Sequence, residues 1–163
     1  MASDITVERK EGLAVVSLNR PDKLNALTLE MRVELLDAFR DIQTDSQIRA
    51  VLLRAEGRAF CAGADISTMG KDDVWGDRAR LYRAHQMILS IFNCEKPVVA
   101  AVRGPAVGIG LSMALACDVL LLSETAQLGQ VFRKIGLAPD GGAAFFLQNL
   151  IGRQRATDLA YSA

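Results

Sequence analysis

The chain has 163 residues, half of them apolar, with 19 Lys and Arg against 19 Asp and Glu and one His. That length supports one domain spanning residues 1–163 with a real core and leaves no room for two comfortable ones. The balanced charge excludes a field that would hold the chain on nucleic acid or an anionic membrane, so phosphate recognition must be local. Ile5, Val7 and then Leu13 to Leu18 form two β-type runs around Lys10-Glu11-Gly12, a hairpin signal. After a turn at Arg20-Pro21-Asp22, Thr28 is a plausible helix N-cap. Met31, Leu35, Ala38/Phe39 and Ile42 then recur at helical spacing. Ala50 to Leu53 reads as a short buried strand, followed by the loop Glu56 to Asp65. A polar stretch, Lys71 to Asp77, leads into a helix whose face carries Leu81, Ala84/His85, Ile88 and Ile91/Phe92 and which Lys96-Pro97 ends.

Val98 to Val102 is a continuous apolar strand that turns through Gly104-Pro-Ala-Val-Gly108-Ile-Gly110 into the helical run Leu111 to Ala116. Asp118 to Ser123 reads as the next strand and Ala126 to Leu128 as a short extended piece. Gly141 to Leu150 reads as a helix, and a last helix starts near Gly152. Strands alternating with helices predict an α/β fold with buried, mostly parallel strands. No apolar stretch reaches membrane-spanning length, and the start at Met1-Ala2-Ser3-Asp4 carries no basic, apolar leader. Cys61, Cys94 and Cys117 lack the paired spacing of structural zinc sites, so no metal and a reduced, cytoplasmic setting are expected.

Gly108-Ile-Gly110 after a strand invites a dinucleotide reading, but Met113 stands where the third glycine of that fingerprint belongs. A phosphate loop at Gly70-Lys71 fails as well, because Asp72 follows and no glycine stands five residues earlier. What remains is a tight turn whose unpaired backbone N–H groups, at a helix start, suit a developing oxyanion.

Asn25-Ala-Leu, Phe60-Cys-Ala-Gly-Ala-Asp65-Ile, Lys96-Pro-Val-Val-Ala-Ala-Val-Arg-Gly104, Ala116-Cys-Asp118 and Ile135-Gly-Leu-Ala-Pro-Asp140-Gly-Gly142 resemble, in order and spacing, the signature segments of the enoyl-CoA hydratase/isomerase (crotonase) superfamily. The resemblance covers essentially the whole chain. It implies a crotonase-like spiral of ββα units and an acyl-CoA substrate, with coenzyme A arriving as part of that substrate instead of as a bound cofactor. It implies an oxyanion hole made by the backbone N–H groups of Ala64 and Ile109, each donor worth roughly 3 kcal/mol in the transition state. It further implies that the loop Lys23 to Ala26 and the segment Ala62, Ala64, Asp65 and Ile66 hold the CoA moiety. Relatives of this kind continue past the point matching Ala163 into helices that complete the acyl pocket and build homo-oligomers, trimers or hexamers. The expectation is therefore a domain incomplete at its C-terminus, and a non-catalytic CoA-ester-binding fragment stays open.

The two glutamates of the hydrating members match Ser112 and Phe132, neither of which can do carboxylate acid/base work near neutral pH. Ser112 lacks the second glycine of a nucleophile elbow and reads as a helix serine packed under the turn. Asp140 is the remaining carboxylate, with two readings: N-cap of the following helix, or, as in the enoyl-CoA isomerases this Pro-Asp-Gly-Gly segment resembles, the single catalytic base. The resemblance favours the base. His85 also has two readings. It is either a packed helix residue or, since His85-Gln86-Met87 resembles the water-activating segment of 4-chlorobenzoyl-CoA dehalogenase, the partner of a nucleophilic Asp140. Phe132 stands where that enzyme places tryptophan and cannot donate a hydrogen bond, which weakens the hydrolytic reading.

Overall fold

The computed structural model describes residues 3–69 and 73–163. The Gly70-Lys71-Asp72 triplet, Met1 and Ala2 lie outside the described residues. Strand β1 (Ile5–Lys10) and strand β2 (Leu13–Leu18) form the expected antiparallel hairpin. Helix α1 (Leu29–Thr44) starts where Thr28 Oγ1 accepts from the Met31 N–H at 3.1 Å, and its stripe of Met31, Leu35, Phe39 and Ile42 is fully buried. Then come strand β3 (Ala50–Ala55), helix α2 (Val74–Phe92) and strand β4 (Val98–Val102). The rest of the chain is built from strand β5 (Pro105–Val107), helix α3 (Ile109–Leu115), strand β6 (Val119–Leu122), strand β7 (Gln127–Gly129), helix α4 (Ala143–Ile151) and helix α5 (Arg153–Ser162).

A five-stranded sheet runs in the order β1-β2-β3-β4-β6, antiparallel at its first pair and parallel thereafter. The register sets Ala14 beside Val51 and Val51 beside Val98, and likewise Val16 beside Leu53 and Leu53 beside Ala100. These rows share one core with the apolar faces of α1 and α2, and each fully buried large side chain contributes about 1.5–3 kcal/mol. The sequence predicts buried strands throughout. β6 departs from that: Val119, Leu121 and Leu122 are 49, 57 and 51% exposed, because β6 is an edge strand paired only with β4.

β5 and β7 pair in parallel as a separate two-stranded sheet, a pairing that three-residue strands do not announce in sequence. Helix α4 begins at Ala143 instead of Gly141, since Gly141 and Gly142 take left-handed φ angles of 58° and 78° that no α-helix accommodates. No described helix is long and apolar enough to cross a membrane, and the described residues hold no group of three His, Cys, Asp or Glu placed to bind a metal.

Candidate active site

Two loops leave the carboxyl ends of the neighbouring parallel strands β3 and β4, the end of an α/β sheet where ligands usually bind. The first, residues 56–65, is pinned by Asn25, which is fully buried and holds a left-handed φ of 54°. Its Nδ2 donates to the carbonyls of Glu56 and Ala59, each at 2.9 Å, and its Oδ1 accepts from the Arg20 N–H at 2.8 Å. The second loop carries β5, and the two run side by side: Cys61 N–H donates to Pro105 O, Val107 N–H donates to Cys61 O, both at 3.0 Å, and Cys61 bridges Ala106 in parallel. Gly110 permits the close approach. A Cβ there would stand 2.7 Å from the Cys61 carbonyl oxygen.

Three residues beyond that bridge lie Ala64 on one segment and Ile109, the first residue of α3, on the other. Among the described residues neither backbone N–H donates a hydrogen bond to the protein. Both residues line one cavity of about 630 Å3, whose wall also includes Ala62, Ile66, Ala84, Phe132, Leu137 and Asp140. Most of the wall is apolar, which strengthens charges and hydrogen bonds inside, and Asp77, Arg80 and Lys134 also line it.

Asp140 is not a helix cap. Gly142 holds the N-cap position of α4 and no side chain caps that terminus, so the capping alternative is corrected by the two left-handed glycines between Asp140 and the helix. Asp140 instead presents a buried Oδ1 that has no hydrogen-bond partner. Burial pushes its carboxyl above the ordinary carboxylate range, opposed by the charges of His85 and Arg32. Ser112 is wholly buried under this segment, its hydroxyl 3.3 Å from Gly108 O and 3.2 Å from Asp140 O, which suits a packing serine.

The other expected site residues divide. Ala62 and Ile66 line the cavity. Lys23 and Ala26 do not; they belong to the neighbouring turn, whose Leu24 carbonyl accepts from Ala62 N–H at 2.9 Å. Asp65 accepts from Ser67 N–H at 3.0 Å and faces Arg20 Nη1 at 2.8 Å; hydrogen bonds from the Ser67 side chain and backbone, then from Arg20, hold its carboxyl down to about 2. It fixes the loop and lies outside the cavity wall. His85 is half-buried on α2 and is also outside that wall, although its charge is felt at Asp140. Sequence reading missed Arg32, which is only 5% exposed and lines the cavity. Its signal was a cation on the buried side of α1, three residues before Leu35 and seven before Phe39.

The sequence model of the enoyl-CoA hydratase/isomerase family matches residues 8–163. The chain is 41% identical over 146 residues to a probable enoyl-CoA hydratase of Mycobacterium tuberculosis, covering 88% of this chain and 56% of that protein. It is 34% identical over 157 residues to the 1,2-epoxyphenylacetyl-CoA isomerase of Escherichia coli, covering 93% and 59%. The crystal structure of an enoyl-CoA hydratase from Mycobacterium avium subsp. paratuberculosis superposes with a TM-score of 0.89 at 38% identity, over 98% of this chain and 63% of that one. The chain thus spans just over half the length of the curated relatives it matches. Across nearly all of its own length, in motif and in fold, it belongs to the enoyl-CoA hydratase/isomerase family.

Proposed function

We propose that the chain binds an acyl-CoA thioester and moves a double bond in its acyl group, with Asp140 as the only base. The observation that carries this reading is the buried, unpartnered Asp140 Oδ1 sharing one cavity with the unbonded N–H groups of Ala64 and Ile109. The thioester oxygen accepts from the two N–H groups. Asp140 takes a proton from the carbon next to the carbonyl, and the C–H electron pair delocalises onto that oxygen as a dienolate. The proton returns to the carbon two positions farther out, so the double bond moves into conjugation and nothing is added or lost. One carboxylate suffices, and a raised pKa matches its basicity to the task. Hydration would ask for a second acid/base group, and the positions matching the family's glutamates hold Ser112 and Phe132.

A hydrolytic second reading rests on His85, which is near enough to act on Asp140 electrostatically although it stands outside the cavity wall. There Asp140 attacks a halogen-bearing carbon of the acyl group, halide leaves with the electron pair of the broken bond, and His85 takes a proton from the water that hydrolyses the resulting aspartyl ester. Asp140→Asn tests the common element: turnover of a 3-enoyl-CoA falls on the order of 100-fold or more while melting changes little. His85→Ala given a halogenated acyl-CoA separates the readings, because only the hydrolytic one accumulates an aspartyl ester visible by mass spectrometry. The proposal includes CoA held along Ala62 to Ile66 and beside the Lys23–Ala26 turn. It also includes self-association that covers exposed Phe92, Phe145 and Leu150. Sedimentation showing a stable monomer would count against the assembly.

A further inference from the structure

Arg32 lies on α1 and lines the cavity. The residue is 5% exposed, and among the described residues its guanidinium makes no hydrogen bond or ion pair. Asp140 is close enough to be felt electrostatically, yet the two do not pair. A guanidinium stays protonated in proteins; burial penalises the Arg32 charge most, Asp140 offsets that in part and Arg80 adds to it, and a buried charge that no hydrogen-bonded partner holds is costly. An occupant carrying a negative charge removes that cost, and the planar fork matches a carboxylate in two parallel hydrogen bonds.

Arg32 is buried, whereas Ile66, on the segment proposed to hold CoA, is 62% exposed. A buried guanidinium suits a group of the acyl part, whereas a CoA headgroup stays in contact with water. We infer that Arg32 is a specificity-determining residue that binds a carboxylate at the far end of the acyl group, so the preferred substrates are CoA thioesters of dicarboxylic acids. The inference rests on the acyl-CoA reading above and names the substrate class of the same site. Arg32 touches the substrate away from the reacting carbons and takes no part in proton transfer.

The test compares two unreactive thioesters of equal chain length, hexanoyl-CoA and 5-carboxypentanoyl-CoA, by titration calorimetry on the full chain. Coenzyme A is common to both, so its contribution cancels in the ratio of dissociation constants. The wild-type chain binds the carboxylate thioester more tightly by on the order of 30-fold or more. In Arg32→Met that ratio collapses toward one, and Arg32→Lys keeps part of it, because an ammonium retains the charge and loses the fork. A wild-type ratio near one, or a ratio that Arg32→Met leaves unchanged, overturns the inference. If the ratio behaves as stated while no 3-enoyl-CoA is isomerised, the substrate assignment stands and the isomerase reading alone fails. Binding of neither thioester overturns both.

Discussion

The Ser112 hydroxyl lies 3.2 Å from the carbonyl oxygen of Asp140 and ties the helix that carries one N–H donor to the segment that carries the carboxylate. A hydroxyl has one hydrogen, so it serves Asp140 O and Gly108 O by turns. Ser112 thus helps set where the Asp140 segment stands. Ser112→Ala costs about 1 kcal/mol of stability. It is expected to lower turnover about tenfold through misplacement of Asp140, with substrate affinity little changed. Steady-state kinetics beside thermal melting check both parts.

Gly110 controls the separation of the two N–H donors. The Cβ of Gly110→Ala would stand 2.7 Å from the carbonyl oxygen, the Cβ and the Sγ of Cys61, so α3 must move away from the 61–64 segment. Overpacking of this kind costs about 1–3 kcal/mol. Loss of one oxyanion donor lowers kcat on the order of 100-fold. Retained wild-type turnover in a folded Gly110→Ala protein would sink the placement of the donor pair.

Asn25 should matter to stability more than any exposed residue of the turn. Asn25→Ala removes three hydrogen bonds, strands the carbonyls of Glu56 and Ala59, and puts Ala at a φ of 54°. The expected loss is about 3 kcal/mol, read from the urea midpoint with the slope unchanged.

The periodic elements were legible in the sequence because their apolar residues repeat at the spacing that burial demands: Met31, Leu35, Phe39 and Ile42 on α1, and Val98, Ala100 and Val102 on β4. The family motifs named Ala64, Ile109 and Asp140, and the structure puts all three on one cavity wall. The β5–β7 pair was not legible, since three residues show no alternation and Gly104 to Gly108 resembles a turn. The N-cap reading of Asp140 failed because two glycines can either continue a helix or break its start, and only the backbone angles decide which. Arg32 escaped notice because a charge beside a hydrophobic stripe ordinarily extends to solvent. Its burial depends on α1 packing against α2 and on the loops that close over the cavity.

The pH dependence of catalysis follows from the raised pKa of Asp140, caused first by burial and opposed by the charges of His85 and Arg32. A base works ionised, so kcat/KM falls as pH drops through the folded value, and the acid limb lies above the ordinary carboxylate range. Stability has the opposite sign: a buried carboxyl whose pKa is raised favours the folded state more when protonated, so ionisation of Asp140 costs stability as pH rises through the ordinary carboxylate range toward the folded value. Asp140→Asn removes both effects. An acid limb within the ordinary range would contradict the burial argument.

Hydrogen exchange into the substrate in deuterated water tests the central claim most directly, because the proton Asp140 holds between removal and return either goes back to the substrate or exchanges with solvent, and both routes need that carboxylate. Wild-type protein incubated with a 3-enoyl-CoA is predicted to place deuterium at the carbon next to the carbonyl or at the carbon two positions farther out, and Asp140→Asn, folded and still binding the thioester, to place none above background. Incorporation or turnover by Asp140→Asn at the wild-type rate would contradict the account.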